Sequence, residues 1–195
     1  DGRLWRTVAL AGTMKLSGSD LQGEGEDVCW SVKNIGEQRM VATYMAERLK
    51  RFADDVTEEG PRTVRAANLV HLRSDFTFIY NGTRVGELLN ALHPTPAVCG
   101  LPKEQAMRFI LDNEPGARSY YSGFMGPLAL GSGSSTALPV TQLYVTLRCM
   151  QVLTHSCRLF AGGGLLREST EPQEWAETEA KLETMRQLIH SSDVL

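Results

Sequence analysis

Cysteine is scarce: the four residues Cys29, Cys99, Cys149 and Cys157 show no C-x-x-C or Cys/His metal-ligand spacing. A disulfide framework or zinc knuckle is therefore not expected, and reduced, packed thiols in a cytoplasmic protein are. Apolar runs fall well short of the roughly 20 residues of a membrane helix. The first residues also lack the basic start and apolar core of a signal peptide. Also missing is any Lys/Arg stripe interleaved with aromatics; 20 basic residues face 23 acidic ones, a formal charge of −3. Neither nucleic acid nor a membrane is an expected partner. There is no internal repeat or low-complexity block. The chain opens on Asp1 rather than Met, which suggests that the start of the protein is missing or was removed.

What is present is the composition of an ordinary folded domain, 42% hydrophobic and 22% charged over 195 residues, enough for one substantial core. Residues 3 to 12 read as a strand ending at Gly12, followed by a polar connection from about 14 to 32. Helical spacing predicts an amphipathic helix from Asn34 to Asp54-Asp55, with Ile35, Met40, Val41, Tyr44, Met45, Arg48, Leu49 and Phe52 on its stripe. Gly60-Pro61 should break the chain before two β-rich runs, Arg62 to Ala66 and Asn68 to Tyr80, and a turn at Asn81-Gly82. A short helix over Val85 to Leu92 must stop at His93-Pro94-Thr95-Pro96, and Pro102 suits the start of a helix over Lys103 to Asn113. Strands are expected at about 119–130, 140–151 and 152–163, then a helix capped by Ser169 or Thr170 and running to about Ile189. Hairpin strands with helices to one side predict an α+β fold of layered antiparallel sheets and flanking helices.

Four stretches carry candidate chemistry. In the last helix, spacings of three and four put Glu174, Glu177 and Lys181 on one face. Two carboxylates and an ammonium there suit a hard divalent cation beside an anionic ligand, although such a stripe taken alone is more often a solvated, salt-bridged face. Gly162-Gly163-Gly164 follows a strand and would let backbone N–H groups approach an anion; by itself it is more often a plain turn. His93 stands at the mouth of a proline-stiffened loop, as a site wall or as a structural hydrogen-bonder. Glu37 falls on the solvent side of the first long helix and alone reads as a surface acid.

In order, these segments resemble the chorismate-binding enzymes, which include isochorismate synthases, salicylate synthases, anthranilate synthase component I and aminodeoxychorismate synthases. Leu10-Ala11-Gly12-Thr13 is similar to the family's AGT turn, Lys33 to Glu37 to its K-D-x-x-E-H helix start, and His71-Leu72 to its H-L strand. His93 to Pro102 matches its central loop, and Glu114, Arg118 and Tyr120 to Gly123 its E-x-x-x-R-x-x-Y-x-G segment. Leu147-Arg148-Cys149 matches I-R-C, Phe160 to Gly164 the F-A-G-A-G turn, and Glu174 to Lys181 the E-W-x-E-T-x-x-K helix.

The resemblance implies the C-terminal half of the chorismate-utilising fold, one chorismate-binding portion over 1–195. It also implies that Glu37 and Glu177 ligate Mg²⁺, which holds the ring carboxylate of chorismate, with Glu174 acting through water. Arg148, Lys181 and the amides of Gly162 to Gly164 would bind substrate carboxylates, with Gly12, Thr13, His93 and Tyr121 completing the substrate-binding set. Ala11 stands where the covalent lysine of some members would be, and Pro94 to Val98 with His93 is similar to the water-using isochorismate synthases.

Three positions depart from the family pattern: Gln38 replaces a histidine, Asn34 an acidic residue, and Met14-Lys15 an arginine-containing sequence. Having the Asn34 amide in place of a carboxylate would weaken water-mediated support for the metal while leaving the direct ligand. The family's lysine base and glutamate acid come from its N-terminal half, and no catalytic residue is expected in this chain. The expected partners are therefore chorismate and that half. Two readings follow: a fragment of an isochorismate synthase or another chorismate-utilising enzyme, or a non-catalytic chorismate-binding module.

Overall fold

A computed structural model describes residues 4–15, 28–66, 69–82, 84–128 and 141–189. They fall into two compact units, one of 3–110 with 166–168 and one of 111–165 with 169–195. The expected connection at 14–32 lies largely outside the described residues.

The first unit is built on a three-stranded antiparallel sheet of β1 (Leu4–Lys15), β2 (Asp54–Ala66) and β3 (Leu69–Ile79), with β3 in the centre. Along β3, Phe76 and Phe78 are buried while Asp75, Thr77 and Ile79 on the opposite face are half-exposed, the period of two that a one-sided core demands. Helix α1 (Val32–Leu49) covers the buried face, its first turn capped by Ser31 Oγ, which accepts from Asn34 N at 3.2 Å. Met45, Leu49, Phe76, Phe78, Tyr80 and Leu88 form the centre of the core. Each large side chain there contributes about 1.5–3 kcal/mol of burial. Helices α2 (Val85–Leu92) and α3 (Lys103–Asn113) match their expected spans.

Three expectations change. The buried stripe of α1 is Asn34, Gln38, Val41, Ala42, Tyr44, Met45 and Leu49, whereas Ile35, Met40 and Phe52 are exposed. Gln38 turns the helix by bonding its side-chain amide to the sheet, and Asn34 packs against the Gly12 bulge. The helix begins at Val32 and stops at Leu49, and Asp54-Asp55 already belong to β2. Gly60-Pro61 does not separate strands; it is a bulge inside β2, where the register slips between Glu59 and Arg62. An edge strand tolerates this because a proline without an N–H removes no ladder bond at a bulge. Gly60 sits at φ 118°, and a Cβ there would lie 2.7 Å from Arg73 O.

In the second unit the described strands are shorter and more numerous than the three expected. β4 (Phe124–Met125) pairs with β5 (Tyr144–Val145), and β6 (Cys149–Val152) with β7 (Cys157–Phe160). The run expected at 140–151 breaks at Leu147-Arg148, where Arg148 adopts φ 50°, outside the extended region of a regular strand. Helix α4 (Glu171–Arg186) follows Thr170, whose side chain makes no capping bond, and ends about one turn before Ile189. None of the four cysteines is in a disulfide, but Cys29 and Cys157 are exposed rather than packed. Among the described residues no helix is long and apolar enough to cross a membrane. The observed order is an α+β arrangement, as the sequence implied.

Candidate functional site

In the first unit, the AGT turn is a bulge in β1. The β1–β3 register slips between Ala11 and Thr13, and Gly12 takes φ 68°. A Cβ on Gly12 would lie 3.0 Å from Asn34 O, so both the backbone angle and the contact with α1 require glycine. Gln38 clamps the approach to this bulge. Its Oε1 accepts from Ala11 N at 2.9 Å, and its Nε2 donates to Ala9 O at 3.1 Å and Ser74 Oγ at 3.2 Å. On β3, His71 Nδ1 lies 3.1 Å from Gly12 O and 3.2 Å from Thr13 Oγ1. Thus the residue that replaces the family's histidine is a fully bonded brace, and Asn34 is the wall against which Gly12 packs.

Glu37 is one position before that brace on α1. It is not the plain surface acid that helical spacing suggested: its side chain is only 21% exposed, and Lys33 Nζ stands 3.8 Å from its Oε1. His93 ends α2, with its N–H donating to Leu89 O at 2.7 Å. Lys103 Nζ donates to His93 O at 2.9 Å and to Asn90 O at 3.3 Å, tying the proline loop to the exposed carbonyls of α2. Sequence reasoning gave Lys103 no role; its signal was a cation ten residues beyond a helix C-terminus.

The second unit gathers the remaining candidates. Lys181 Nζ donates to Glu177 Oε1 at 2.6 Å and to Gly162 O at 3.1 Å, fastening α4 to the glycine turn. A Cβ on Gly163 would meet Glu174 Oε2 at 3.3 Å, Lys181 Nζ at 3.8 Å and Glu177 Oε1 at 3.9 Å, so three charged groups of α4 converge over this one backbone position. Ser169 Oγ donates to Glu174 Oε1 at 2.5 Å, a support the sequence offered only as a helix cap.

Arg148 completes this wall. Burial pushes its guanidinium below the ordinary arginine value, while the Glu177 charge pulls it back up, so the two groups are electrostatically linked. Its strained backbone costs about 1–3 kcal/mol, a type of outlier that collects at functional positions. Tyr121 stacks on Phe160 with ring centroids 5.8 Å apart, and its hydroxyl lies 2.8 Å from where a Gly162 Cβ would be. Burial raises its phenol above the usual range, against the lowering effect of Arg118. Arg118 forms a two-pronged bond to Glu114, donates to Ser122 Oγ at 3.0 Å and places its guanidinium 5.8 Å from the Tyr121 ring centroid. The Glu114–Arg118 pair therefore props up Tyr121.

Glu174 and Glu177 offer hard oxygen donors one turn apart, which fits Mg²⁺; that ion is usually held by one or two carboxylates with water and substrate supplying the rest. Among the described residues no three His, Cys, Asp or Glu side chains form a metal cluster. The Mg²⁺ expectation thus has a chemically suitable pair in the second unit, with Glu37 belonging to the first.

A family model described as chorismate binding enzyme matches residues 1–190. The isochorismate synthase MenF of Escherichia coli (strain K12) is 32% identical over 196 residues, covering 96% of this chain and 44% of that protein. The isochorismate synthase DhbC of Bacillus subtilis (strain 168) is 32% identical over 182 residues, covering 90% of this chain and 44% of the relative. The solved structure of Escherichia coli MenF, a menaquinone-specific isochorismate synthase, superposes with a TM-score of 0.82 at 32% identity, covering 96% of this chain and 42% of that one. A putative 2,3-dihydroxybenzoate-specific isochorismate synthase, DhbC from Bacillus anthracis, gives a TM-score of 0.80 at 28% identity over 97% of this chain and 50% of that one. The chain spans less than half the length of the curated relatives it matches, in their C-terminal part. On sequence and fold together, this chain belongs to the chorismate binding enzyme family.

Proposed function

We propose that this chain is the metal-binding and carboxylate-binding portion of an isochorismate synthase. In that reaction water adds at C2 of chorismate and the C4 hydroxyl departs, so substrate and product are isomers. The observation that carries the reading is the convergence of Glu174, Glu177 and Lys181 over Gly163, with Arg148 electrostatically linked to Glu177. Its relatives at 32% identity are named isochorismate synthases.

On this reading Arg148 and Lys181 pair with the substrate's carboxylates, and the Gly162 to Gly164 amides donate to them. Lys181, already bonded to both Glu177 and Gly162 O, keeps the acidic helix and the glycine turn in one arrangement. Glu37, Glu174 and Glu177 are the proposed Mg²⁺ ligands, and bound Mg²⁺ would neutralise the ring carboxylate during water addition. Gly12, Thr13, His93 and Tyr121 line the remaining substrate contacts. Proton transfer is assigned to a base and an acid outside this chain, and the proposed partner is the N-terminal half of the same enzyme. That isochorismate serves menaquinone or siderophore synthesis is an extension of the relatives' names, and a cytoplasmic setting is part of the same proposal.

The intact protein supplied with chorismate and Mg²⁺ should form isochorismate, resolved from chorismate by chromatography. Glu177→Ala should lower turnover by at least about a hundredfold, the loss expected when a metal ligand is removed. Salicylate and pyruvate as first products, or no product, would overturn the assignment.

A further inference from the structure

We infer that His71 is a positioning residue: its Nδ1–H is fixed by the Gly12 carbonyl, and this orients the Thr13 hydroxyl as a hydrogen-bond donor toward the ligand. The inference rests on the reading that the turn faces a chorismate carboxylate, and it adds to that reading the polarity of the contact and the residue that sets it.

The argument is one of donors and acceptors. Nδ1 stands 3.1 Å from Gly12 O and 3.2 Å from Thr13 Oγ1. A carbonyl oxygen only accepts, so the first contact is a hydrogen bond only when Nδ1 carries the proton. The other tautomer would set a ring lone pair against a carbonyl lone pair in a buried place, since His71 is 3% exposed. One hydrogen then faces two oxygens. Thr13 Oγ1 lends a lone pair to it, and the hydroxyl's own hydrogen cannot return to an occupied ring nitrogen.

The backbone prevents escape from this arrangement. Thr13 is the strand partner of His71, Gly12 is pressed against Asn34 O, and Gln38 holds Ala11 N. The Thr13 hydroxyl hydrogen is therefore left to donate to a carboxylate or carbonyl oxygen. The sequence shows a histidine on a strand and a threonine 58 residues earlier; only the bulge and the register bring them together.

The test has an arm that needs no ligand. In the intact protein labelled with ¹⁵N-histidine, the His71 resonances, assigned by their loss in His71→Asn, should show the proton on Nδ1. In calorimetric titrations with chorismate and Mg²⁺, His71→Asn, which keeps an N–H near the Nδ1 position, should bind within about threefold of wild type. His71→Leu and Thr13→Val should each bind about tenfold more weakly, with melting temperatures recorded to exclude unfolding. A proton on Nε2, or a Thr13→Val protein that binds as wild type does, overturns the inference. If wild type itself gave no binding, the functional reading would fail, while the tautomer measurement would still decide the assignment of His71.

Discussion

Gln38 is a single side chain that does the work of a short strand. Its amide satisfies Ala9 O, Ala11 N and Ser74 Oγ, and it is 1% exposed. Gln38→Ala leaves those groups unpaired, so chemical denaturation should show a loss of about 2–4 kcal/mol, larger than a cavity of the same size in an apolar site. Gln38→Leu, equally bulky and apolar, should not restore stability; if it did, the amide bonds would not be what matters. Asp75 gives a pH-dependent counterpart. The hydrogen bond from Arg73 holds its carboxyl below the ordinary range, with Arg62 adding charge. A depressed folded value means that the stabilisation is complete above about pH 4, the unfolded aspartate value. It is lost as pH falls through the folded value. Asp75→Asn should therefore cost about 1 kcal/mol at pH 7, and the gap to wild type should close in acid. A gap that widened below pH 4 would reverse the sign.

Elements with a long, one-sided pattern were legible before any coordinates. Helices α2 and α3 needed only their prolines and apolar spacing, and β3 only its alternation. The stripe of α1 was misplaced because Asn34 and Gln38 look like surface residues. Their spacing of four, continued by Val41 and Met45, was the available signal that both face inward. Gly60-Pro61 misled for a similar reason, since composition cannot distinguish a strand break from an edge bulge. The short strands around Arg148 were not legible at all, because a non-glycine residue at φ 50° carries no sequence mark. The loop at His93 is held by Lys103 from α3, a contact that depends on how α2 ends. Lys103→Met should shift the His93 loop amide signals in NMR spectra and cost about 1–2 kcal/mol, since three interactions of its ammonium are lost together. Unchanged loop signals would remove the clamp from the account.

Across the molecule, the candidate residues divide between the two units: Gly12, Thr13, Glu37 and His93 in the first, Tyr121, Arg148, Gly162 to Gly164, Glu174, Glu177 and Lys181 in the second. The motifs were readable as an ordered series, because family members share their sequence order even where no single motif is informative. The outer face of the sheet carries Leu4, Val8 and Leu10 at 42–48% exposure, an exposed apolar band of the kind expected when part of a fold is uncovered. Under the proposal that the acid and base lie outside it, the 195-residue chain alone should form no isochorismate, and turnover by the purified piece would contradict that division of labour. The central claim is that Glu177 and Arg148 belong to one Mg²⁺-dependent carboxylate site. Its most direct test is calorimetric titration of the intact protein with chorismate, with and without Mg²⁺. The account predicts that Mg²⁺ tightens binding in wild type, that Glu177→Ala abolishes this dependence, and that Arg148→Ala weakens binding about thirtyfold or more. Chorismate binding that is indifferent to Mg²⁺, or undiminished in both variants, would contradict it.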